Sequence, residues 1–368
     1  MSALFSPIAI GQLKLSNRIV VAPMCQYSAN NGEATDWHLI HLGSMALSGA
    51  ALLTIEATAV EPEGRITPSD LGLWSDATET ALSKVITSVR NHSAIPIAIQ
   101  LAHAGRKASC HVPWKDGQQI PAGQGGWQTL SSSDLPYSHG QAAPAPLDRA
   151  GLERVRSAFA TAAQRAHRIG IDAIEIHMAH GYLLHQFLSP LANVRTDEYG
   201  GSLENRMRFP LEVFDAVRAA FPADKPVGVR ISATDWVADG WEIEQSVALA
   251  QQLRQRGCSY IHVSSGGMSP LQAVSPVPCF QVGFAERIRK ETGMLTIAVG
   301  MITEPEQAEA IVVAGQADLV ALARGMLFNP HWPWHAAAKL GATVEAPCQY
   351  WRAAPENHKM LFGKNAVG

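Results

Sequence analysis

The stretch Ile174-Glu175-Ile176-His177-Met178-Ala179-His180-Gly181-Tyr182 decides how this chain folds. Alternation puts Ile174 and Ile176 on one face and Glu175 and His177 on the other. This is a short β-strand with an aliphatic side and an ionisable side. Beyond its end it delivers two imidazoles and a phenol into one small space. Seven more runs have the same length and β-branched character. Together the predicted strands cover 18–23, 51–60, 95–101, 171–177, 226–232, 259–264, 296–300 and 318–323. Amphipathic helical patterns follow them at 38–48, 77–91, 148–168, 204–220, 242–256, 284–292, 305–313 and 330–340. Eight strands, each followed by a helix, predict a parallel sheet, and eight is the number that closes a (β/α)8 TIM barrel. An open doubly wound sheet would carry a Gly-rich turn after its first strand. That position reads Ala22-Pro23-Met24-Cys25, which argues against it.

Two insertions break the pattern, at 110–146 after the third strand and at 183–201 after the fourth. Both fall on the C-terminal face, where a barrel builds its site. The first is rich in Pro, Gly, Ser and Gln, with Trp114, Trp127 and Tyr137 as apolar anchors, and reads as a lid. Residues 1–340 are expected to form one barrel domain, and 341–368 a C-terminal extension.

Composition narrows the function. The 368 residues are 47% hydrophobic and 17% charged, with net charge −3 and no basic run, which leaves no electrostatic footprint for nucleic acid. No apolar run reaches the roughly 18 residues of a membrane span. Met1-Ser2-Ala3-Leu4-Phe5-Ser6-Pro7 lacks the basic start and apolar core of a signal peptide. The five cysteines, Cys25, Cys110, Cys258, Cys279 and Cys348, are scattered and never in C-x-x-C spacing. That argues against disulfides, zinc or iron–sulfur clusters, and for a reducing cytoplasm.

Strand parity also places Gln100 and Arg230 on the same face as Glu175 and His177, turned into the barrel. Buried polar groups of this kind need partners, and a flat heterocycle with carbonyl and imide edges would satisfy them. His177 and His180 can hold a carbonyl or nitro oxygen, and Tyr182 can give a proton to a neighbouring carbon. That suits reduction of an activated C=C bond. No side chain donates a hydride, so a redox cofactor is implied. The small residues at Ala298-Val299-Gly300-Met301 and Ala323-Arg324-Gly325 suit a phosphate at the ends of strands seven and eight. A competing reading makes His177 and His180 metal ligands of a barrel hydrolase, with His185 or Glu175 as the third. His38, His41 and His103 read as structural. Lys107 reads as a neighbour of the cofactor or substrate. Trp332, Trp334 and Trp351 read as core or interface.

The chain resembles the Old Yellow Enzyme family of flavin-dependent ene-reductases, in its bacterial thermophilic-like subclass. The motifs that carry the resemblance run from the first strand to the last. They are Ala22-Pro23-Met24-Cys25-Gln26-Tyr27, Glu56-Ala57-Thr58-Ala59-Val60, Gly64-Arg65-Ile66-Thr67, Gln100-Leu101-Ala102-His103-Ala104-Gly105-Arg106-Lys107, His177 to Tyr182, Arg195-Thr196-Asp197-Glu198-Tyr199-Gly200-Gly201-Ser202, Asn205-Arg206 and Ala298-Val299-Gly300.

The resemblance implies noncovalent FMN, with NADPH as hydride donor and NADH also compatible. It implies that Ala22, Pro23, Met24, Cys25 and Ala57 line the isoalloxazine. Gln100 and Arg230 would meet its pyrimidine edge, and Gly300, Ala323 and Arg324 its phosphate. Family members often have Gly at position 323, where Ala costs little unless φ is positive. His177 and His180 would hold the oxygen of an enone, enal, maleimide or nitro-olefin, with Tyr182 as proton donor and Tyr27 touching substrate. Cys25 stands where this subclass has a cysteine and yeast-type enzymes a threonine; it would tune the flavin and not act as a nucleophile. Longer dienoyl-CoA-type reductases share these motifs but add an iron–sulfur cluster and a second flavin domain, which this cysteine pattern does not suit. A flavin-binding sensor without turnover is a third reading. The tail segment Ala346-Pro347-Cys348-Gln349-Tyr350-Trp351-Arg352 resembles one that ends in an arginine reaching a neighbouring subunit's site. Arg352 matches that position and Trp351 departs from the commonest form. A homodimer or dimer of dimers is therefore expected.

Overall fold

The structure is a computed structural model and describes residues 2–363. An N-terminal hairpin of β1 (Ile8–Ile10) and β2 (Leu13–Leu15) comes first. The barrel strands are β3 (Ile19–Val21), β4 (Leu52–Ala59), β5 (Ile97–Ala102), β8 (Ala173–Met178), β9 (Val227–Ser232), β10 (Ile261–Ser264), β11 (Thr296–Ala298) and β12 (Leu319–Leu322). All pair in parallel, and β12 closes on β3. The remaining pair, β6 (Leu130–Ser131) and β7 (Ala145–Pro146), lies inside the first insertion.

The helices α1 (Asp36–Ala46), α2 (Asp76–Arg90), α3 (Arg149–Arg168), α5 (Leu203–Ala220), α6 (Ile243–Gln255), α7 (Val282–Thr292), α8 (Pro305–Val313) and α10 (Trp332–Lys339) ring the barrel. Each end of these strands and helices lies within two residues of the expected one. Side-chain caps fix several starts: Asp148 accepts from the Gly151 N–H at 2.7 Å and Ser202 from the Asn205 N–H at 3.3 Å. Two short helices were not foreseen, α4 (Leu183–Leu188) and α9 (Arg324–Phe328).

Parity sorts the core as expected. Ile99, Ile174, Ile176, Val229 and Ile231 face outward and pack on helix residues such as Phe159 and Phe214. Val20, Leu52, Ala98, Ala173, Tyr260, Ile297 and Leu319 fill the lower interior. Ile10 and Leu15 of the hairpin join this inner cluster. Gly228 leaves room for the Tyr260 ring, which a Cβ there would approach to 2.3 Å. Above this apolar layer the interior turns polar, with Gln100, Glu175, His177, Arg230 and His262 all buried.

One strand breaks alternation. On β4, Ile55 pairs with Ile99 and Ala57 pairs with Gln100, so Glu56 is an extra residue in a β-bulge. The bulge turns Ala57 to the inner face beside Gln100.

Candidate active site

The turn after β8 carries the imidazoles and the phenol. His177 is the last inward residue of the strand. His180 and Gly181 follow at positive φ, 57° and 73°, and Tyr182 is the N-cap of α4. The His177 ring centroid lies 5.1 Å from that of His180 and 4.9 Å from that of Tyr182, both edge-on. Four groups pin the turn. The His180 N–H donates to Ser232 Oγ at 2.9 Å. The Gly181 N–H donates to His185 Nδ1 at 2.9 Å, and His185 Nε2 faces Asp235 at 3.0 Å. The Tyr182 N–H donates to the Ala179 carbonyl at 3.1 Å. Lys107 Nζ donates to the carbonyls of His180 at 2.8 Å and Gly267 at 2.9 Å. Only glycine fits at 181, because a Cβ would sit 2.2 Å from the Gly267 carbonyl oxygen.

Protonation follows from these contacts. Burial, then the Arg230 charge, holds both His177 and His180 well below the usual imidazole range. Both are neutral near pH 7. The Ala179 N–H donates to His177 Nδ1 at 3.2 Å, so the ring proton is on Nε2, free to donate. His180 Nε2 lies 2.8 Å from Ser264 Oγ; when the hydroxyl donates, Nδ1 keeps its proton for a ligand. Burial pushes the Tyr182 phenol well above its ordinary value, so it retains a proton to give. Burial, then Arg106, brings Lys107 down to about 8. Its ammonium lies 5.3 Å from the Tyr182 ring centroid.

The floor is a polar chain drawn from four strands. Gln100 Nε2 donates to Glu175 Oε1 at 2.7 Å, and His262 Nδ1 meets Glu175 Oε2 at 2.9 Å. Arg230 pairs in register with His177 and His262 and is buried, with no partner for its Nε among the described residues. Sequence reasoning passed over His262. Its inward parity on β10 was the available signal.

The turn after β3 forms one wall. Glu56, released by the bulge, accepts from the Gln26 N–H at 2.8 Å and faces His38 Nε2 at 3.4 Å. This fastens the segment carrying Ala22, Pro23, Met24, Cys25 and Tyr27. Burial, then the carboxylates of Asp70 and Glu56, raises the Cys25 thiol well above its ordinary value. A protonated thiol is a poor nucleophile. Tyr27 sits at φ 50° and is also raised by burial.

Beside this wall, at the ends of β11 and β12, Gly300, Ala323 and Arg324 line a cavity of about 690 Å³ with Met301, Trp332 and His335. Gly300 has φ 119°, and a Cβ there would meet Gln281 Nε2 at 2.4 Å. Ala323 has φ −107°, so alanine meets no positive-φ penalty there. Arg324 is exposed at the start of α9.

The first insertion packs as a cover on the loops after β4 and β5. The Trp127 indole donates to the Glu63 carbonyl at 3.0 Å, and Arg65 stacks on its ring. Lys107 lies 4.7 Å from the Tyr137 ring centroid. Buried Arg106 donates to the carbonyls of Leu135 and Pro136 on the cover and of Met268 below it. Trp114 differs from the expected anchor: it is 68% exposed and meets Tyr27 edge-on at 5.8 Å.

His38 and His103 are structural, as expected. His38 Nδ1 accepts from the Thr35 N–H at the start of α1, and His103 pairs with Glu61 at 2.9 Å. The described tail rests on its own barrel, with Val344, Leu361 and Phe362 packed on Trp334 and Ala337. Trp351 joins that cluster, and Trp332 lies in the main core. Arg352 is exposed and outside the cluster of His177, His180 and Tyr182. Residues 364–368 of the expected extension lie outside the described residues.

The metal-ligand reading fails on geometry. His185 is engaged by Asp235 and Gly181, and Glu175 by Gln100 and His262. Among the described residues no three His, Cys, Asp or Glu side chains are grouped to hold an ion. Among them also, no helix is long and apolar enough to cross a membrane.

Residues 3–342 match the family described as NADH:flavin oxidoreductase / NADH oxidase. An NADPH dehydrogenase from Geobacillus thermodenitrificans is 43% identical, over 95% of this chain and 98% of its own. An NADH:flavin oxidoreductase from Gibberella zeae is 43% identical, over 93% of this chain and 86% of its own. Among solved structures, morphinone reductase superposes with TM-score 0.77 at 30% identity, covering 93% of this chain and 91% of its own. The chain belongs to the NADH:flavin oxidoreductase / NADH oxidase family, of the Old Yellow Enzyme type. It is a flavin oxidoreductase, and its cofactor is FMN.

The residues present fit that group. Gln100 spends its N–H₂ on Glu175 and keeps a carbonyl oxygen for an imide N–H. Arg230 brings buried donors beside it. Ala57 is small and turned inward by the bulge, which leaves room for a flat ring.

Proposed function

We propose that this enzyme reduces the activated C=C bond of α,β-unsaturated carbonyl or nitro compounds at the expense of NADPH. The observation that carries the reading is the cluster of His177, His180 and Tyr182, three neutral side chains in which the His177 ring meets each of the other two in a T-shaped contact. FMN, when bound, would supply the hydride chemistry that links the nicotinamide to the β-carbon. His177 Nε2 and His180 Nδ1 donate to the substrate oxygen, and these bonds strengthen as negative charge develops there. Tyr182, protonated at neutral pH, gives its proton to the α-carbon. Tyr27 touches the substrate, and Cys25 lines the pocket and tunes the cofactor.

Ala22, Pro23, Met24, Cys25 and Ala57 would line the isoalloxazine. Gln100 and Arg230 would hold its pyrimidine edge. Gly300, Ala323 and Arg324 would receive the phosphate. We take NADPH as reductant from the names of the Geobacillus relatives. NADH suits the same site, since the chain has no dinucleotide-binding motif. Residues 1–340 act as one domain, and 341–368 extend it at a subunit interface. There Arg352 serves the neighbour's site in a homodimer or dimer of dimers. A reducing cytoplasm suits the five free cysteines.

The test is the visible spectrum of the purified protein under anaerobic NADPH, then cyclohexenone. A flavin spectrum that bleaches and recovers is expected. A yellow protein that NADPH does not bleach would be a sensor and would overturn the proposal.

A further inference from the structure

Three buried side chains from three strands form a line under the cofactor site. His262 of β10 meets Glu175 of β8 at 2.9 Å, and Glu175 accepts from Gln100 of β5 at 2.7 Å. All three are at most 2% exposed. The Tyr260 ring packs below them against Gly228. A primary amide has nearly the same shape in its two flipped orientations, so packing does not choose between them. Glu175 does choose. A carboxylate only accepts, so it draws the Gln100 N–H₂ to itself and turns the carbonyl oxygen the other way.

The edge of a flavin pyrimidine ring reads carbonyl, imide N–H, carbonyl. It needs an acceptor for the N–H and donors for the carbonyls. Gln100 so oriented supplies the acceptor, and Arg230 the donors. We propose that Glu175 and His262 are positioning residues that lock the Gln100 amide with its oxygen toward the flavin imide. Neither touches the cofactor. A protonated Glu175 would instead donate to the Gln100 oxygen. The amide would then turn its N–H₂ against the imide N–H, donor facing donor.

His262 keeps Glu175 in the accepting state. Burial pushes the Glu175 carboxyl up, but His262, Arg230 and Gln100 outweigh it and hold it below the usual range. The His262 imidazole is lowered, by burial first, and is neutral; it therefore acts as a hydrogen-bond donor through Nδ1. The charged and titratable groups around the pair are His177 from β8, Arg230 from β9 and the Tyr260 phenol just before β10, which burial and Glu175 keep protonated. The inference rests on FMN as cofactor and not on the substrate reading.

The experiment follows release of FMN from the holoenzyme on dilution, by recovery of flavin fluorescence, between about pH 5.5 and 8.5. Wild-type affinity, which carries the titration of the FMN phosphate itself at about pH 6, is the reference at each pH. His262→Phe removes the donor, so Glu175 should titrate within this range. FMN affinity should then fall about 10- to 100-fold toward the acid end, the penalty of an inverted hydrogen bond. In a Gln100→Ala background the same change should add less than about twofold. If His262→Phe does not fold, the isosteric Glu175→Gln carries the test, because the His262 Nδ1–H holds the new amide's oxygen and turns its N–H₂ on Gln100. It should weaken FMN at every pH, and that loss should largely vanish when Gln100 is also Ala. A pH-independent loss in His262→Phe, equal with and without Gln100, would mean packing only and overturn the proposal. So would unchanged affinity in both variants. Wild-type protein that releases no flavin at all would instead sink the cofactor assignment.

Discussion

Replacing Gly181 by alanine tests whether the turn from His180 to Tyr182 is held by contact with its neighbour or only by its own backbone. Gly170 is the control. Both have positive φ, +73° and +82°, so each alanine costs about 1–2 kcal/mol in conformation alone. At 170 the new Cβ meets nothing within 4 Å. At 181 it meets Gly267 O at 2.2 Å and Met268 Cα at 3.0 Å, which are backbone atoms. Gly267 must retreat by roughly 1 Å to reach normal contact. It is tethered by Lys107 to its carbonyl and by Gln272 to its N–H at 2.6 Å. Breaking one such buried tether adds about 1–3 kcal/mol. Gly170→Ala should therefore cost about 1–2 kcal/mol, and Gly181→Ala about 2–5 kcal/mol. Urea unfolding at fixed FMN reads both as a fall in midpoint with unchanged slope. Any folded Gly181→Ala enzyme should also lose about 100-fold in enone turnover, the effect of a displacement of this size near the chemistry. Equal midpoints for the two variants, with turnover kept, would refute the reasoning.

The remaining predictions concern single groups. Tyr182→Phe should slow flavin reoxidation by cyclohexenone about 10²- to 10⁴-fold in stopped flow. Flavin reduction by NADPH should change far less, and equal slowing of both steps would give Tyr182 a binding role. Replacing His177 and His180 together by Ala should weaken phenol ligands about 10- to 1000-fold. Survival of tight binding and its long-wavelength band would end the oxygen-holding assignment. Cys25→Ala should stay yellow with a shifted potential and lose less than about tenfold in turnover; complete inactivity with flavin bound would point to covalent chemistry. Subunits carrying Arg352→Ala, mixed with subunits carrying Tyr182→Phe, should recover toward half of wild-type activity if Arg352 serves the neighbour. No recovery means that it acts within its own chain.

The strands were legible because each is a short β-branched run whose two faces differ in kind, as at Ile176 and His177. The same parity correctly turned Gln100 and Arg230 inward. The α4 helix was not legible. Its residues Leu183, Leu184, His185, Gln186, Phe187 and Leu188 are all buried, so no exposed face gives it a period. The hairpin β1–β2 has only three residues per strand, too few for alternation to register. His262 stands between Ile261 and Val263 in an apolar run, and a single polar residue there carries no sign of its partner 87 positions away. Trp114 was misjudged because an aromatic in a long loop suggests burial, whereas this one leans outward onto Tyr27.

The extra residue at Glu56 matters to anyone who would re-engineer this enzyme. Inward positions of a barrel strand are ordinarily chosen for randomisation by counting every second residue. Counted from Leu52, that rule selects Thr58, which pairs with outward-facing Leu101. It passes over Ala57 and Ala59, which pair with Gln100 and Ala102. A library so designed would spend its last position on the helix layer and leave Ala57 and Ala59 untouched. Excising Glu56 would leave Ala57 facing inward in unbroken alternation. It would remove the carboxylate that holds the Gln26 N–H and faces His38, and the carbonyl that accepts from the Thr58 hydroxyl, which makes this position a place to loosen the Cys25 wall without rebuilding the barrel.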